Sequence, residues 1–284
     1  MLAIIGTVPV KDAPLTSGKI AIEGDHLHLA GRQIPVNRGT PALLAAALQT
    51  TQTLGGPPPF AFLVGDVGWG HGSRMLYEHL TEHLPQSDFS TLAFHYLQPI
   101  VHWHGRILSA IDAMPKRPRL IADAGYMYMA KMSGQAEVYD LFTPDVGELA
   151  FLADEEAPHP FYTRGFILQE ENRVPDLIER AYRHNNAARN LLVKGCCDYL
   201  ANRAGVQERV EGPSEEAMEA MGGTGDTLTG IASALIETGM DVGRAAIIAA
   251  KVNRLAGSLA KPTPATQVIE IIRHIPEALK QALQ

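Results

Sequence analysis

Met221-Gly-Gly-Thr-Gly-Asp-Thr-Leu-Thr-Gly230 sets three glycines within four positions ahead of an apolar helical pattern, Leu228, Ile231, Leu235 and Ile236. Glycine lets the backbone take positive φ and approach a ligand without a Cβ in the way. The helix that follows begins with unpaired N–H groups and roughly +0.5 of an elementary charge, a ready anion site. Backbone amides of Gly222, Gly223, Thr224 and Gly225 are therefore candidate phosphate ligands. Asp226 falls inside this positive end, where a carboxylate stays ionised and suits a base that accepts a proton from a hydroxyl. The alternative reading makes Asp226 a helix cap and the glycines a tight turn.

Upstream, short apolar runs alternate with amphipathic stretches. Residues 61–64, 92–94, 120–122, 141–142 and 191–193 are too short for helices and are bounded by Gly, Pro or Asp, so they read as buried strands. Between them, Met75 to Leu84, Ile100 to Met114 and Val174 to His184 read as helices, as does Pro41 to Leu54 with Thr40 as N-cap. Alternation of this kind predicts a parallel sheet covered on both faces. Lys19 to Ile34 instead alternates around Gly24-Asp25, a hairpin signal. After Gly222 the chain reads as three helices, Thr224 to Thr238, Val242 to Ala260 and Thr266 to Ala282, broken at Gly239 and across Lys261-Pro262-Thr263-Pro264. The expected organisation is one domain over 1–284, with a hairpin-and-helix extension (1–55) on a core (56–284).

Other candidate residues sit where strands end. In Phe142-Thr-Pro-Asp-Val-Gly-Glu148, a carboxylate at a helix start could hold hydrated Mg²⁺ against a phosphate, or could simply favour the helix dipole. Lys194, ending a strand, could meet phosphate charge or be solvated. Gly65-Asp-Val-Gly-Trp-Gly-His-Gly-Ser73 is a second glycine-rich loop leading into a helix, without dinucleotide-fingerprint spacing. His102 and His104 fall two apart on a helix, pointing about 200° from each other, so they do not share a metal. Cys196 and Cys197 read as buried, inert thiols.

Gly222 to Gly230 resembles the Gly-X-Gly-Asp signature of ribokinase-like kinases, and in its full form that of the NAD(P)H-hydrate dehydratase branch. Ile121-Ala-Asp-Ala-Gly125, Phe142 to Glu148 and Val193-Lys-Gly195 resemble that branch's other motifs in the same order. The resemblance implies a three-layer α/β/α ribokinase-like fold with a central, mainly parallel sheet. It implies phosphoryl transfer from ATP or ADP with Mg²⁺ held through water by Glu148 and Asp145, and Asp226 as catalytic base. Gly222, Gly223, Thr224, Gly225 and Lys194 would bind the nucleotide phosphates, while Asp66, Gly68, Gly70, Gly72 and Asp123 would line the acceptor site. Trp69 and His71 could cover a planar ring there, or Trp69 could be an ordinary partly buried aromatic. The implied acceptor is the C6 hydroxyl of hydrated NADH or NADPH, whose phosphate ester then leaves by elimination. The alternatives are a kinase of a sugar, thiazole or pyrimidine alcohol and an inactive nucleotide-binding regulator. The chain departs from the family at Ile121, where a second Asp is expected, and at Phe94-His-Tyr-Leu-Gln-Pro99, where a glycine-rich turn is expected.

Composition narrows the partners. With 24 Lys+Arg against 31 Asp+Glu the net charge is −7, and the longest basic cluster is Lys116, Arg117 and Arg119, too short for nucleic acid. No apolar run reaches membrane-spanning length, Met1 to Thr16 carries no secretory pattern, and two adjacent cysteines fit a reducing compartment. A cytoplasmic protein without membrane or nucleic-acid partners is expected, with a homo-oligomer left open.

Overall fold

The computed structural model describes residues 1–164, 173–263 and 265–284. Six parallel strands form the centre of an eleven-stranded sheet: β5 (Phe60–Gly65), β1 (Leu2–Val8), β6 (Thr91–His95), β7 (Arg119–Ala122), β8 (Leu141–Phe142) and β9 (Asn190–Val193), in that spatial order. Beyond β9 the sheet turns antiparallel through β10 (Asp198–Asn202) and β11 (Gly205–Val210). Beyond β5 it continues as the antiparallel meander β2 (Thr16–Glu23), β3 (His26–Leu29) and β4 (Arg32–Pro35). The Gly24-Asp25 hairpin is present, Glu23 pairing with His26.

The burial pattern of β1 explains the layering. All seven of its residues are buried, but Leu2 and Ile4 belong to one core and Ala3 and Ile5 to another. Successive side chains of a strand point to opposite faces, so a strand apolar throughout needs a cover on each. The Leu2–Ile4 side is covered by α1 (Thr40–Thr53), α7 (Thr224–Glu237), α8 (Val242–Ala260), α9 (Val268–Ile272) and α10 (Ile275–Ala282). The Ala3–Ile5 side is covered by α2 (His71–His83), α3 (Val101–Asp112), α4 (Gly125–Met132), α5 (Val146–Ala153) and α6 (Val174–Arg183). This is the expected α/β/α arrangement. Among the described residues no helix is long and apolar enough to cross a membrane.

Four expectations need correction. Residues 1–55 are not an extension: β1 lies between β5 and β6, and α1 packs on α7. Thr40 does not cap α1; Gly39 does, with φ 69°, while the Thr40 hydroxyl donates to the Thr7 carbonyl at 2.9 Å. The last helix is two, α9 and α10, with Pro276 in the first turn of the second. Cys196 is exposed and Cys197 half-buried, both free. Pro264, read as part of the preceding break, lies outside the described residues.

Candidate active site

Parallel strands leave their carboxyl ends on one edge of the sheet, and the loops there assemble a cavity of about 460 Å³. α7 opens onto it. Gly223 has φ 104°, and a Cβ there would come within 3.1 Å of Arg38 Cα and Val268 Cγ2, so the turn requires glycine both for conformation and for space. No side chain caps α7. Among the described residues the amides of Gly223, Thr224 and Gly225 have no acceptor.

The Asp226 side chain turns away from those amides. Its Oδ2 accepts the Gly39 N–H at 2.6 Å and its Oδ1 lies 3.0 Å from His95 Nε2. This rules out the cap reading. His95, the last residue of β6, is fully buried, and its Nε2 is 3.9 Å from Asp123 Oδ2. Asp123, just past β7, accepts Lys194 Nζ at 2.9 and 3.1 Å, the Thr229 hydroxyl at 2.6 Å and the Ala124 N–H at 2.8 Å. Burial works to raise the Asp226 carboxyl, but the hydrogen bond and charge of His95, with Lys194 and the Gly39 amide, hold it below the usual carboxylate range. Burial works to lower the Lys194 ammonium, but Asp123 and Glu148 push it above the ordinary lysine value. His95, Asp123 and Asp226 present ligand atoms within 4.8 Å of one another. The imidazole and the Lys194 ammonium already partner both carboxylates there.

Asp145 and Glu148 begin α5 as a capping box: Asp145 Oδ1 accepts the Glu148 N–H at 2.7 Å and Glu148 Oε2 the Asp145 N–H at 2.8 Å. The helix-start reading of Glu148 is therefore correct as far as it goes. The box leaves Asp145 Oδ2 and Glu148 Oε1 outside it, and both residues line the cavity. Two hard carboxylate oxygens at the edge of the cavity, the exposed Asp145 and the more enclosed Glu148, fit hydrated Mg²⁺. Burial pushes the Glu148 carboxyl up to about 8, opposed by Lys194 and reinforced by Asp123 and Asp145. A bridge between Asp145 and Lys194 extends the β8–β9 pairing and fixes both sides of this corner.

Thus Asp226, the Gly223–Gly225 amides, Lys194, Asp123, Asp145 and Glu148 come together around one cavity. Gly222 is next to Gly223 in sequence but is not part of the lining; a Cβ there would fall 3.2 Å from Arg38 Cδ. Asp66, Gly68, Gly70 and Gly72 do not line it. Both Asp66 oxygens are used internally: Oδ1 accepts the N–H groups of Gly68 and Gly70, and Oδ2 the N–H and hydroxyl of Ser73. Trp69 is exposed. His104 is buried against Tyr139 and Ser133, away from the exposed His102. The sequence reading missed His95, Gly39, Thr229 and Arg254. Arg254 donates to Asp198 and to the carbonyls of Gly195 and Cys196, pinning one cavity wall. His95 carried one available signal: like Lys194, it closes an apolar strand.

A sequence profile of NAD(P)H-hydrate dehydratases matches residues 106–277, more than half of the chain. The chain belongs to the NAD(P)H-hydrate dehydratase family. An uncharacterized protein of Methanocaldococcus jannaschii is 40% identical over 243 residues, covering 85% of this chain and all of that one. A ribokinase-like superfamily protein of Enterococcus faecalis has the same fold at TM-score 0.60 and 16% identity, covering 99% of this chain and 87% of that one. So does the ADP/ATP-dependent NAD(P)H-hydrate dehydratase of Bacillus subtilis, solved with ATP and Mg²⁺, at TM-score 0.58 and 13% identity, covering 99% and 89%. The family match begins after His95 and Tyr96, so the segment that departs from the family's glycine turn lies outside it.

Proposed function

We propose that this family member is a nucleotide-dependent NAD(P)H-hydrate dehydratase, phosphorylating the C6 hydroxyl of hydrated NADH or NADPH with ATP or ADP. The observation that carries the reading is Asp226: a buried carboxylate beside uncapped helix amides, held by His95 and Gly39 instead of serving the helix. A carboxylate beside a polyphosphate is electrostatically costly unless it has a proton to move.

Amides of Gly223, Thr224 and Gly225 bind the oxygens of the transferring phosphoryl group, where charge develops. Asp226 takes the acceptor's hydroxyl proton as that oxygen bonds to phosphorus and the bond from phosphorus to the nucleotide breaks. The ester then loses phosphate and a ring proton, restoring the dihydronicotinamide. Lys194 and Asp123 hold the floor of the cavity as a neutral pair. Asp145 and Glu148 would hold Mg²⁺ through water, and the ion would supply positive charge to the phosphates. The ATP and Mg²⁺ used with the Bacillus subtilis enzyme support both assignments.

The test is recovery of reduced-nicotinamide absorbance from hydrated NADH with Mg²⁺ and either nucleotide. Asp226→Asn should bind nucleotide normally and lose at least about 10² in turnover. No recovery with ATP or ADP would turn the assignment towards a kinase of another small alcohol, and an unimpaired Asp226→Asn would remove the base.

A further inference from the structure

Both ring nitrogens of His95 have oxygen partners. Thr40 Oγ1 lies 2.9 Å from both the Thr7 carbonyl oxygen and His95 Nδ1; with its single proton donated to the carbonyl, which can only accept, the oxygen offers Nδ1 a lone pair. Nε2 faces the Asp226 carboxylate at 3.0 Å. A neutral imidazole protonated at Nε2 serves both ring contacts only if Thr40 turns its proton from the Thr7 carbonyl to Nδ1; an imidazolium keeps all three hydrogen bonds at once. The groups facing the ring are Asp226 from α7, Asp123 from beyond β7 and Tyr96 from its own loop, while α1 presents only Thr40. Lys194 stands behind Asp123. With both ring nitrogens of His95 donating, two carboxylates and two cations form one buried quartet.

The residue that follows the ring, just past β6, is held firmly. Tyr96 has φ 51°, a conformation a bulky side chain rarely adopts, and its carbonyl accepts the Thr7 hydroxyl at 2.7 Å. Thr7 therefore anchors both the strained residue and, through Thr40, the imidazole.

We propose that His95 is the positioning residue of the base, fixing Asp226 Oδ1 and supplying the positive charge that is uncovered when Asp226 takes the acceptor's proton. The inference rests on the reading of Asp226 as base. Before transfer the quartet sums to zero. Once the hydroxyl proton sits on Asp226, the His95 charge is no longer cancelled, and the quartet gains one positive charge beside the phosphoryl group in transit. No proton leaves the histidine, and the proton gained by Asp226 is the one lost by the alcohol.

The experiment compares His95→Gln with Asp226→Asn in the full chain. Glutamine can keep an N–H towards Asp226 but carries no charge. His95→Gln should lower kcat about tenfold or more and leave nucleotide affinity within about twofold. It should also move the acid limb of the kcat profile, taken at saturating Mg²⁺ and nucleotide so that Glu148 is already engaged, up by about one pH unit or more, since losing a cation makes a carboxylate protonate at higher pH. An unmoved acid limb alongside an inactive Asp226→Asn would overturn the role of His95 and leave Asp226 as base. An active Asp226→Asn would instead overturn the underlying reading. A readout independent of the variant's folding is the ¹⁵N spectrum of His95 in the unmodified protein at pH 7. Both nitrogens should be protonated; a single proton overturns the inference.

Discussion

Four donors converge on the Asp66 carboxylate, so its place in the protein is mechanical. The Gly68, Gly70 and Ser73 amides and the Ser73 hydroxyl all end there. Burial raises this carboxyl, but those hydrogen bonds together leave it below the usual carboxylate range. Asp66→Asn keeps the shape but turns one acceptor into a donor facing donors, a loss of about 1–3 kcal/mol. The sign of the pH dependence follows from the lowered value. Asp66 contributes fully above its unfolded value near 3.9 and loses the contribution as pH falls through its lower folded value. Urea midpoints of wild type and Asp66→Asn should therefore differ at pH 7 and converge towards pH 3. A gap that persists at low pH would show that the carboxylate's charge is not what the loop uses. The sequence could not separate this role from ligand contact, because an aspartate before a glycine-rich loop looks the same whether its oxygens reach a substrate or the loop's own amides.

Helices α1 and α7 meet across Gly230, and their closeness sets the distance between Gly39 and Asp226. A Cβ at Gly230 would fall 2.3 Å from the Leu43 carbonyl oxygen and 3.1 Å from Ala46 Cβ. Intrinsic propensity favours alanine over glycine in a helix by about 1 kcal/mol. Backbone atoms cannot yield as a flexible side chain can, so Gly230→Ala should still lower stability by about 1–3 kcal/mol. Thermal melting decides the sign; a raised midpoint would mean the two helices have slack. Elements of this kind differ in how plainly the sequence shows them. Runs such as 61–64, 120–122 and 191–193 were readable as strands because turn residues bound them and nothing else fits their length. β1 went unassigned although every residue of it is buried. β10 and β11 were missed because their sequences mix polar and apolar residues. Asp226, Lys194, Glu148 and Asp145 were readable because each ends a strand or opens a helix. The contacts of Asp226 with His95 and Gly39 were not, since they join residues 131 and 187 positions apart.

The order of the sheet settles whether residues 1–55 can be dispensed with. β1 pairs with β5 on one side and β6 on the other, so it is the seam of the parallel core. A chain of residues 56–284 would leave β5 without a partner on either side and β6 unpaired on one, three open strand edges, and lose the cover that α1 gives the same core. It would also lack Gly39 and Thr40, which hold Asp226 and His95. Seven buried residues in β1 alone, and eleven in α1, would be missing from a continuous apolar interior. Such a fragment should show no cooperative thermal transition by circular dichroism and should elute as aggregate, while the full chain melts in one step. A monodisperse 56–284 fragment that melts cooperatively would mean the core closes without its central strand. Binding of ATP by that fragment would further place nucleotide recognition wholly after residue 56. The opposite result makes the first strand and helix as much a part of the site as the glycine turn that opens α7.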